Sequence, residues 1–324
     1  MSFSTKQEVL DILNMPQDEF ESIIMPLAQR AYLEQDGRII VRSVAGCDDG
    51  CENPCFDCGM YAPNKEVNHS WTPVEGIIEY GHQAKECGFS RILLAFGEDG
   101  EYSVDDICYF IHEIHEMGIE VTLAAGLFPR SVFEEMKAAG LDQYLLKFEM
   151  AQAEMFNRLN PFTTYKERMA SIEAVKEADL KLATGDIVAY PGQTLEMLAE
   201  DILLTRSLEA SWAPVIPFML AKDASLSAEG GAANLEWLYK TISLLRLMIP
   251  EIDITAQQPG KDLSKGLADP ESNLKAICAG ANTLFCELPD PAKSKDFGNV
   301  DDRNVAGAEH IYAVHDMTDM EISF

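Results

Sequence analysis

Four of the eight cysteines of this chain fall within one short stretch, at Cys47, Cys51, Cys55 and Cys58. The last three have the spacing Cys-x3-Cys-x2-Cys, which allows a loop to turn three thiolates toward one centre. Thiolates are soft ligands that suit zinc or the iron of iron–sulfur clusters. A 4Fe-4S cluster contains four irons, so three protein thiolates leave one iron open to bind another molecule. The spacing therefore predicts a metal centre with one open position.

Two other interpretations of these cysteines remain. A structural zinc site takes four protein ligands, and Cys47 is a candidate for the fourth. Zinc loops usually combine Cys-x2-Cys with a second Cys or His pair further along the chain, and the sequence shows no such pair. Reactive thiols of a redox sensor form the other interpretation, whereas a disulfide cluster requires an oxidising compartment. We favour the iron–sulfur cluster, with Cys51, Cys55 and Cys58 as ligands and Cys47 as an additional thiol.

The composition describes a globular, strongly acidic chain. Its 324 residues are 47% hydrophobic, which is enough for one large α/β barrel or two ordinary domains. The formal net charge of −29 at pH 7 argues against a nucleic-acid groove and against binding to an anionic membrane surface. We therefore expect no nucleic acid and no membrane among the partners of this protein.

The cellular compartment is predicted from the N-terminal segment and the cysteines. Residues 1–18 mix polar and apolar residues without the sustained apolar run of a cleavable signal peptide. No stretch of the sequence approaches the uninterrupted apolar length that spans a bilayer. Eight cysteines without a secretory signal indicate a reducing cytoplasm, where clustered thiols act as metal ligands.

Apolar periodicity predicts an alternation of strands and helices along most of the chain. Residues 5–35 are expected to form two helices interrupted at residues 15–18, and the cysteine loop directly follows a strand at Arg38–Val44. Further strands are predicted at Arg91–Ala95, Glu120–Ala124, Gln143–Phe148, Pro214–Phe218, Ile252–Thr255 and Thr283–Glu287, and the segments Lys181–Ala183 and Ile187–Val188 are predicted to form one strand together. Helices are predicted at Pro73–Cys87, Ser103–Met117, Ser131–Ala139, Thr163–Ala178, Thr194–Ser207, Leu235–Met248 and Asn273–Cys278. Thr72 is expected to cap the first of these helices.

Eight strand–helix steps predict the fold class α/β, as a (β/α)8 barrel of the TIM type with an N-terminal helical extension. We assign residues 1–36 to an N-terminal helical cap, residues 37–290 to the barrel, and residues 291–324 to a C-terminal tail packed on it. Functional residues of such barrels lie on the loops that leave the carboxyl ends of the strands. The cysteine loop leaves the first strand, so it lies on the expected face.

Other polar residues are predicted at the same face. The turn Gly97-Glu98-Asp99 follows the second strand, where a glycine lets the backbone approach a ligand closely, although an ordinary βα turn explains it too. Glu149 ends the fourth strand. Arg168 lies on the following helix, where a guanidinium either forms a surface ion pair or binds a carboxylate as a two-pronged donor.

The cysteine spacing resembles the signature of the radical S-adenosylmethionine (SAM) superfamily. The resemblance implies a 4Fe-4S cluster on Cys51, Cys55 and Cys58, with SAM bound at the open iron. It also implies reductive cleavage of SAM to a 5′-deoxyadenosyl radical that acts on a small molecule in the barrel. The sequence departs from the family at one position, because Asp57 stands where an aromatic residue usually precedes the third cysteine, and Phe56 lies one position earlier.

Further segments resemble the branch that contains biotin synthase, the E-type maturase of FeFe hydrogenase, and methylornithine synthase. Gly97, Glu98 and Asp99 are similar to a turn that contacts the SAM amino group in that branch. Glu149 matches an acidic residue associated with SAM binding, and Arg168 matches an arginine that pairs with the SAM carboxylate. The resemblance to the maturase and to methylornithine synthase is the stronger one, and it implies an electron donor such as ferredoxin or flavodoxin.

The alternative within this branch is sulfur insertion like that of biotin synthase. That enzyme holds a sulfur-donating cluster on cysteines and an arginine inside its barrel. At the corresponding strands this sequence has Leu94, Thr122 and Ala183, with Gln257 or Gln258 near the place of the arginine. These side chains supply no thiolate, so sulfur insertion is disfavoured, and a non-catalytic zinc-binding barrel remains the other alternative.

Overall fold

The computed structural model describes residues 3–47, 50–60, 71–98, 100–221, 224–230, 233–262, 265–288 and 307–324. The helices are α1 (Lys6–Leu13), α2 (Gln17–Glu19), α3 (Met25–Leu33), α4 (Val74–Glu86), α5 (Val104–Glu116), α6 (Arg130–Ala138), α7 (Ala153–Leu159), α8 (Tyr165–Glu177), α9 (Leu195–Ser207), α10 (Leu235–Met248), α11 (Pro270–Cys278) and α12 (Ala308–His315). A π-helical turn at Phe20–Ile24 joins α2 to α3, and a 3-10 turn lies at Ser225–Glu229. The strands are β1 (Arg38–Gly46), β2 (Arg91–Ala95), β3 (Glu120–Ala124), β4 (Gln143–Leu145), β5 (Lys181–Ala183), β6 (Ile187–Val188), β7 (Trp212–Ala213), β8 (Ile216–Pro217), β9 (Asp253–Ile254), β10 (Thr283–Glu287) and β11 (Glu321–Ser323).

Eight parallel strands form a closed ring. They follow the order β10-β1-β2-β3-β4-β5-β7-β9, and β6 pairs with β8 beyond the ends of β5 and β7. The ring closes between β9 and β10, because the Ala256 amide donates to the Thr283 carbonyl at 2.7 Å and the Asn282 amide donates to the Ile254 carbonyl at 3.0 Å. The predicted (β/α)8 barrel is therefore confirmed.

Local sequence explains where the helices begin. Thr5, Ser103 and Thr164 each form a capping box with an acidic residue three positions later, which satisfies the first free amides of α1, α5 and α8. The predicted cap Thr72 was wrong: Pro73 precedes α4 without a side-chain cap, and the Thr72 amide instead donates to the Cys47 carbonyl at 2.9 Å. Thr72 thus secures the chain where it returns from the cysteine segment.

The strand predicted at Gln143–Phe148 is shorter than expected. It ends at Leu145, and the chain then turns through Glu149, whose φ of 61° lies in the left-handed region. The sequence analysis also missed α7, a helix of seven residues that follows this turn. The turn and α7 together redirect the chain along the rim of the barrel.

The centre of the barrel is filled rather than hollow. Trp212 is fully buried and packs there with Val44, Leu93 and Ala183. Its indole N–H donates to the Thr255 hydroxyl at 3.1 Å, so the one polar atom of the ring is satisfied. This apolar layer closes the barrel from below, and any cavity must lie toward the carboxyl ends of the strands.

The biotin synthase comparison needs one correction in register. Leu94, which the sequence analysis placed inside the barrel, packs in the main core with residues of the surrounding helices. Its neighbour Leu93 faces the interior instead. Side chains alternate along a strand, so an error of one position exchanges the inside for the outside.

The terminal segments cover the other end of the barrel. The Tyr32 ring of α3 lies 4.5 Å from the guanidinium of Arg246 on α10, and the Lys240 ammonium donates to the carbonyls of Leu13 and Met15. At the C-terminus, β11 pairs in parallel with the start of β1. The boundaries at residues 36 and 290 stay predictions, and residues 289–306 lie outside the described part of the chain.

Across the residues that the structure describes, no helix combines the length and the apolar character needed to cross a membrane.

Replacing Trp212 by Ala should destabilise the protein by about 3–5 kcal/mol, because it leaves a large cavity at the centre of the barrel. Tyr109→Ala provides the control, since Tyr109 is 52% exposed on α5 and its loss should change stability by about 0.5 kcal/mol or less. The measurement is urea unfolding with equal m-values for the variants. A loss below about 1 kcal/mol for Trp212→Ala would show that the barrel does not depend on this ring.

Candidate active site

The cysteine loop lies over the carboxyl ends of the barrel strands. Cys51, Cys55 and Cys58 all line one cavity of about 310 Å³ at this end of the barrel. The loop is tied down at both sides, since the Glu52 amide donates to the Glu98 carbonyl at 2.8 Å and the Phe56 amide donates to the Leu159 carbonyl at 3.0 Å. The structure thus brings the three predicted ligands to the mouth of a single cavity.

Three thiols at one cavity meet the ligand number of a 4Fe-4S cluster with one open iron. No three His, Cys, Asp or Glu side chains within the described ranges converge on one point where a metal ion would bind. A 4Fe-4S cluster makes a different demand, because each thiolate binds a separate iron. Burial raises the pKa of the Cys55 and Cys58 thiols, and the Asp57 carboxylate adds to the effect. The protonated thiols must therefore lose their protons when a metal binds.

Gly97 allows the loop to approach the barrel. A Cβ atom at Gly97 would lie 1.5 Å from the Gly50 carbonyl oxygen, well inside any possible contact. Gly126, at the end of β3, has a φ of 88°, and a Cβ there would lie 2.4 Å from Cγ of Glu98. Two neighbouring strand ends thus require glycine for the cysteine loop and Glu98 to take their places.

Glu98 connects the cysteine loop to the barrel wall. The Asn53 amide group donates to Oε2 of Glu98 at 2.6 Å, and Nη2 of Arg168 lies 3.9 Å from Oε1. Both Gly97 and Glu98 line the cavity, as the sequence predicted for this turn. Asp99, the third residue of the predicted turn, lies outside the described residues.

Arg168 is a buried residue of the cavity wall. The side chain is only 9% exposed, so the alternative of a surface ion pair was wrong. Its Nη1 donates to the Lys147 carbonyl at 3.2 Å, and its guanidinium carbon lies 5.7 Å from the centre of the Phe156 ring. Its buried Nε has no hydrogen-bond partner among the described residues. A carboxylate in the cavity would supply that partner.

Glu149 lines the cavity from a strained backbone position. Its φ of 61° costs a non-glycine residue about 1–3 kcal/mol, and such strain persists only where the surroundings hold the residue in place. Its carboxylate lies 2.8 Å from the Lys147 ammonium. The support comes from α9, where the Asp201 carboxylate accepts from the Ala151 amide at 2.6 Å and from the Gln193 side chain at 2.8 Å.

Several site residues escaped the sequence analysis. Asp57 and Lys147 both line the cavity, whereas Phe56 is not part of the lining and packs against the apolar cluster that includes Phe218. Burial and the neighbouring Glu149 carboxylate raise the pKa of Asp57 to about 6. Side chains two residues apart on a strand face the same side. Lys147 lies two residues after the inward-facing Leu145, so the sequence could have placed it in the cavity.

A second pair of buried carboxyls lies behind Glu149. Burial raises the pKa of Asp201, and the charge of the neighbouring Asp186 adds to this. Both carboxylate oxygens of Asp186 are buried without a hydrogen-bond partner among the described residues. Neither residue is part of the described cavity lining.

Comparison with known proteins identifies relatives of this chain. Residues 48–205 match the profile of the radical SAM superfamily. The chain is 29% identical over 284 residues to the FeFe hydrogenase maturase subunit HydE of Thermotoga maritima, covering 87% of this chain and 79% of that protein. It is 23% identical over 305 residues to a biotin synthase of Gluconobacter oxydans, covering 90% of this chain and 88% of that protein.

Solved structures share the fold. The methylornithine synthase PylB superposes with a TM-score of 0.84 at 19% identity, over 99% of this chain and 94% of that chain. The FeFe hydrogenase maturase HydG of Carboxydothermus hydrogenoformans superposes with a TM-score of 0.82 at 18% identity, over 99% of this chain and 76% of that chain. At these identities the likeness concerns the architecture.

The matched residues include the cysteine loop, Glu98, Glu149 and Arg168. Members of the superfamily use a 4Fe-4S cluster together with SAM. Three thiols at the mouth of a cavity with carboxylate and guanidinium groups on its wall are chemically suited to both. Residues 48–205 of the chain therefore match the radical SAM family, and the relatives that share this match over most of their length are radical SAM enzymes.

Proposed function

We propose that Cys51, Cys55 and Cys58 bind the cluster and that SAM lies in the cavity beneath it. The observation that carries this proposal is the position of all three thiols on the same cavity wall as Glu98 and Arg168. When bound, the cluster and SAM supply one-electron cleavage to a 5′-deoxyadenosyl radical, and the protein supplies binding, orientation and containment.

Different residues around the cavity bind different groups of SAM. Arg168, whose buried Nε lacks a partner among the described residues, is suited to the SAM carboxylate. Gly97 and Glu98 offer a backbone edge and a carboxylate to the amino group. Glu149 contributes a second carboxylate from the end of the neighbouring β4 segment. Asp99 stays a prediction for the same site.

The cavity is built to contain a reactive species. Its floor includes the apolar side chains of Ala95, Ala124 and Leu145, and the Trp212 layer fills the barrel below them. An apolar, closed floor excludes water from the place where the radical meets its substrate. The substrate is a small molecule with polar groups, because the Lys147–Glu149 ion pair faces the space that it would occupy.

The reaction belongs with the HydE and PylB type rather than with sulfur insertion. The described residues that line the cavity include three cysteines, and these are the proposed cluster ligands. The other five cysteines lie elsewhere, with Cys47 and Cys286 in the main core. Within the described cavity lining, no thiolate therefore remains to hold a sulfur-donating second cluster.

We also propose a cytoplasmic location and an electron donor such as ferredoxin or flavodoxin. All eight cysteines lie among the described residues and none of them forms a disulfide, which supports a reducing compartment. One-electron reduction of the cluster requires a protein or small carrier of low potential, and the two named classes of protein supply such electrons.

Replacing Cys55 by Ala should abolish cluster binding and SAM cleavage. After anaerobic reconstitution, the unchanged protein is expected to hold about four irons per chain and to form deoxyadenosine with dithionite. Cys278→Ala is the matched control, because Cys278 lies on α11 away from the cavity. Deoxyadenosine formation by the Cys55→Ala protein would refute the ligand assignment, and one zinc per colourless chain would refute the proposed function.

Gly97→Ala should displace the cysteine loop, since the added methyl group overlaps the Gly50 carbonyl. We expect the variant to fold and to bind much less iron. Gly185→Ala is the control, because a Cβ there meets its neighbours at ordinary distances of 3.7–3.8 Å. Iron content and the melting temperature together test this, and full iron content in Gly97→Ala would show that the loop does not need the close approach.

Arg168→Ala should weaken SAM binding while the cluster remains. The loss of a charge-assisted hydrogen bond is about 1.5–3 kcal/mol, which corresponds to about a ten- to hundredfold higher Kd. Calorimetric titration of SAM into the oxidised protein measures this without turnover. Arg130→Ala, an exposed arginine paired with Glu134, should leave the Kd unchanged. Equal affinity in the Arg168 variant would rule out its role as the carboxylate partner.

A further inference from the structure

Asp57 places a carboxylate between two of the proposed cluster ligands. It lies on a turn between Cys55 and Cys58 and lines the same cavity as both. It directly precedes Cys58 and lies two residues after Cys55. A carboxylate at this position lies close to any metal group that the two thiolates bind.

The cations near Asp57 are engaged elsewhere. Lys147 and Arg168 are the two cations that line the same cavity as Asp57. The Lys147 ammonium lies 2.8 Å from Glu149, and Arg168 lies 3.9 Å from Glu98. Each of these cations is thus paired with another carboxylate, and none of the described ion pairs includes Asp57.

Such a carboxylate opposes reduction of the cluster. Reduction adds one negative charge, and a nearby negative charge in a poorly solvated site raises the free energy of that step. SAM brings a sulfonium group, whose positive charge acts in the opposite direction. The carboxylate therefore lowers the reduction potential of the cluster, and a bound sulfonium raises it. The size of each effect depends on whether the other charge is present.

We propose that Asp57 keeps the cluster difficult to reduce until a sulfonium ligand fills the cavity, and so couples electron uptake to SAM binding. The inference rests on the proposed function. One electron passes from a low-potential carrier to the cluster, the carrier is oxidised by one electron, and no proton is required. Asp57 acts through its charge and is not itself a reacting group.

The test is a redox titration of the anaerobically reconstituted protein at pH 8, with dithionite as the reductant and viologens as mediators. Electron paramagnetic resonance measures the reduced cluster at each potential. Asp57→Asn should raise the cluster potential in the absence of ligand. An aza analogue of SAM, which carries the positive charge without a sulfonium bond to cleave, should raise the potential of the unchanged protein more than that of Asp57→Asn. S-adenosylhomocysteine, which lacks the charge, should produce a smaller shift in the unchanged protein.

Glu52→Gln is the matched control. Glu52 belongs to the same loop and lies next to Cys51, but its side chain is exposed, so solvent screens its charge. The cluster potential of Glu52→Gln should equal that of the unchanged protein, both with and without the aza analogue of SAM. An equal shift in Glu52→Gln and Asp57→Asn would overturn the proposal, because net charge rather than position would then be responsible.

Iron content separates failure of this inference from failure of the proposed function. If the unchanged protein binds no iron–sulfur cluster, the proposed function itself is wrong. If the cluster is present in all variants and Asp57→Asn titrates at the same potential as the unchanged protein, the function stands and the inference falls. If Asp57→Asn and Asp57→Ser both lose iron while Glu52→Gln retains it, Asp57 serves to hold the cluster, and the proposal is also overturned.

Discussion

The close contact between the cysteine loop and the end of β2 underlies the whole site. The Gly50 carbonyl occupies the space that a side chain at residue 97 would need, and the Glu52 amide and the Asn53 side chain both bond to Glu98. The loop sequence alone does not fix where the three thiols point. These contacts hold the loop so that the thiols face the cavity. The closest contact is made by the backbone of Gly50, so any side chain at residue 97 would push the loop away from β2.

The charges of the cavity complement the ligand that the family uses. Asp57, Glu98 and Glu149 supply three carboxylates, whereas Lys147 and Arg168 supply two cations. The lining therefore carries one net negative charge when all five groups are ionised, and SAM with its ammonium, sulfonium and carboxylate groups carries one net positive charge. The strongly acidic surface of the chain adds a long-range field of the same sign, although salt screens it over about 10 Å.

The side chains inside the barrel distinguish this protein from a sulfur-inserting enzyme. Trp212 fills the centre beneath the cavity, and the inward positions of β2, β3 and β5 are Leu93, Thr122 and Ala183. A second metal group would need both thiolates and space at this level, and the described interior provides neither. The polar side chains and the cysteine loop meet in the upper cavity instead.

The sequence by itself determined most of the barrel and the spacing of the three-cysteine loop. Alternating periodicities predicted seven of the eight ring strands, but the strand predicted at Pro214–Phe218 begins after β7 and coincides with β8 outside the ring. The spacing of Cys51, Cys55 and Cys58 depends on neighbours only a few positions apart. The tertiary structure decided what depends on side-chain direction: that Arg168 is buried in the cavity wall, and that Asp57 rather than Phe56 faces the cavity. These features follow from how crossovers and strand-end turns orient each residue. Local sequence does not encode such orientation, because a shift of one residue reverses which face a strand presents.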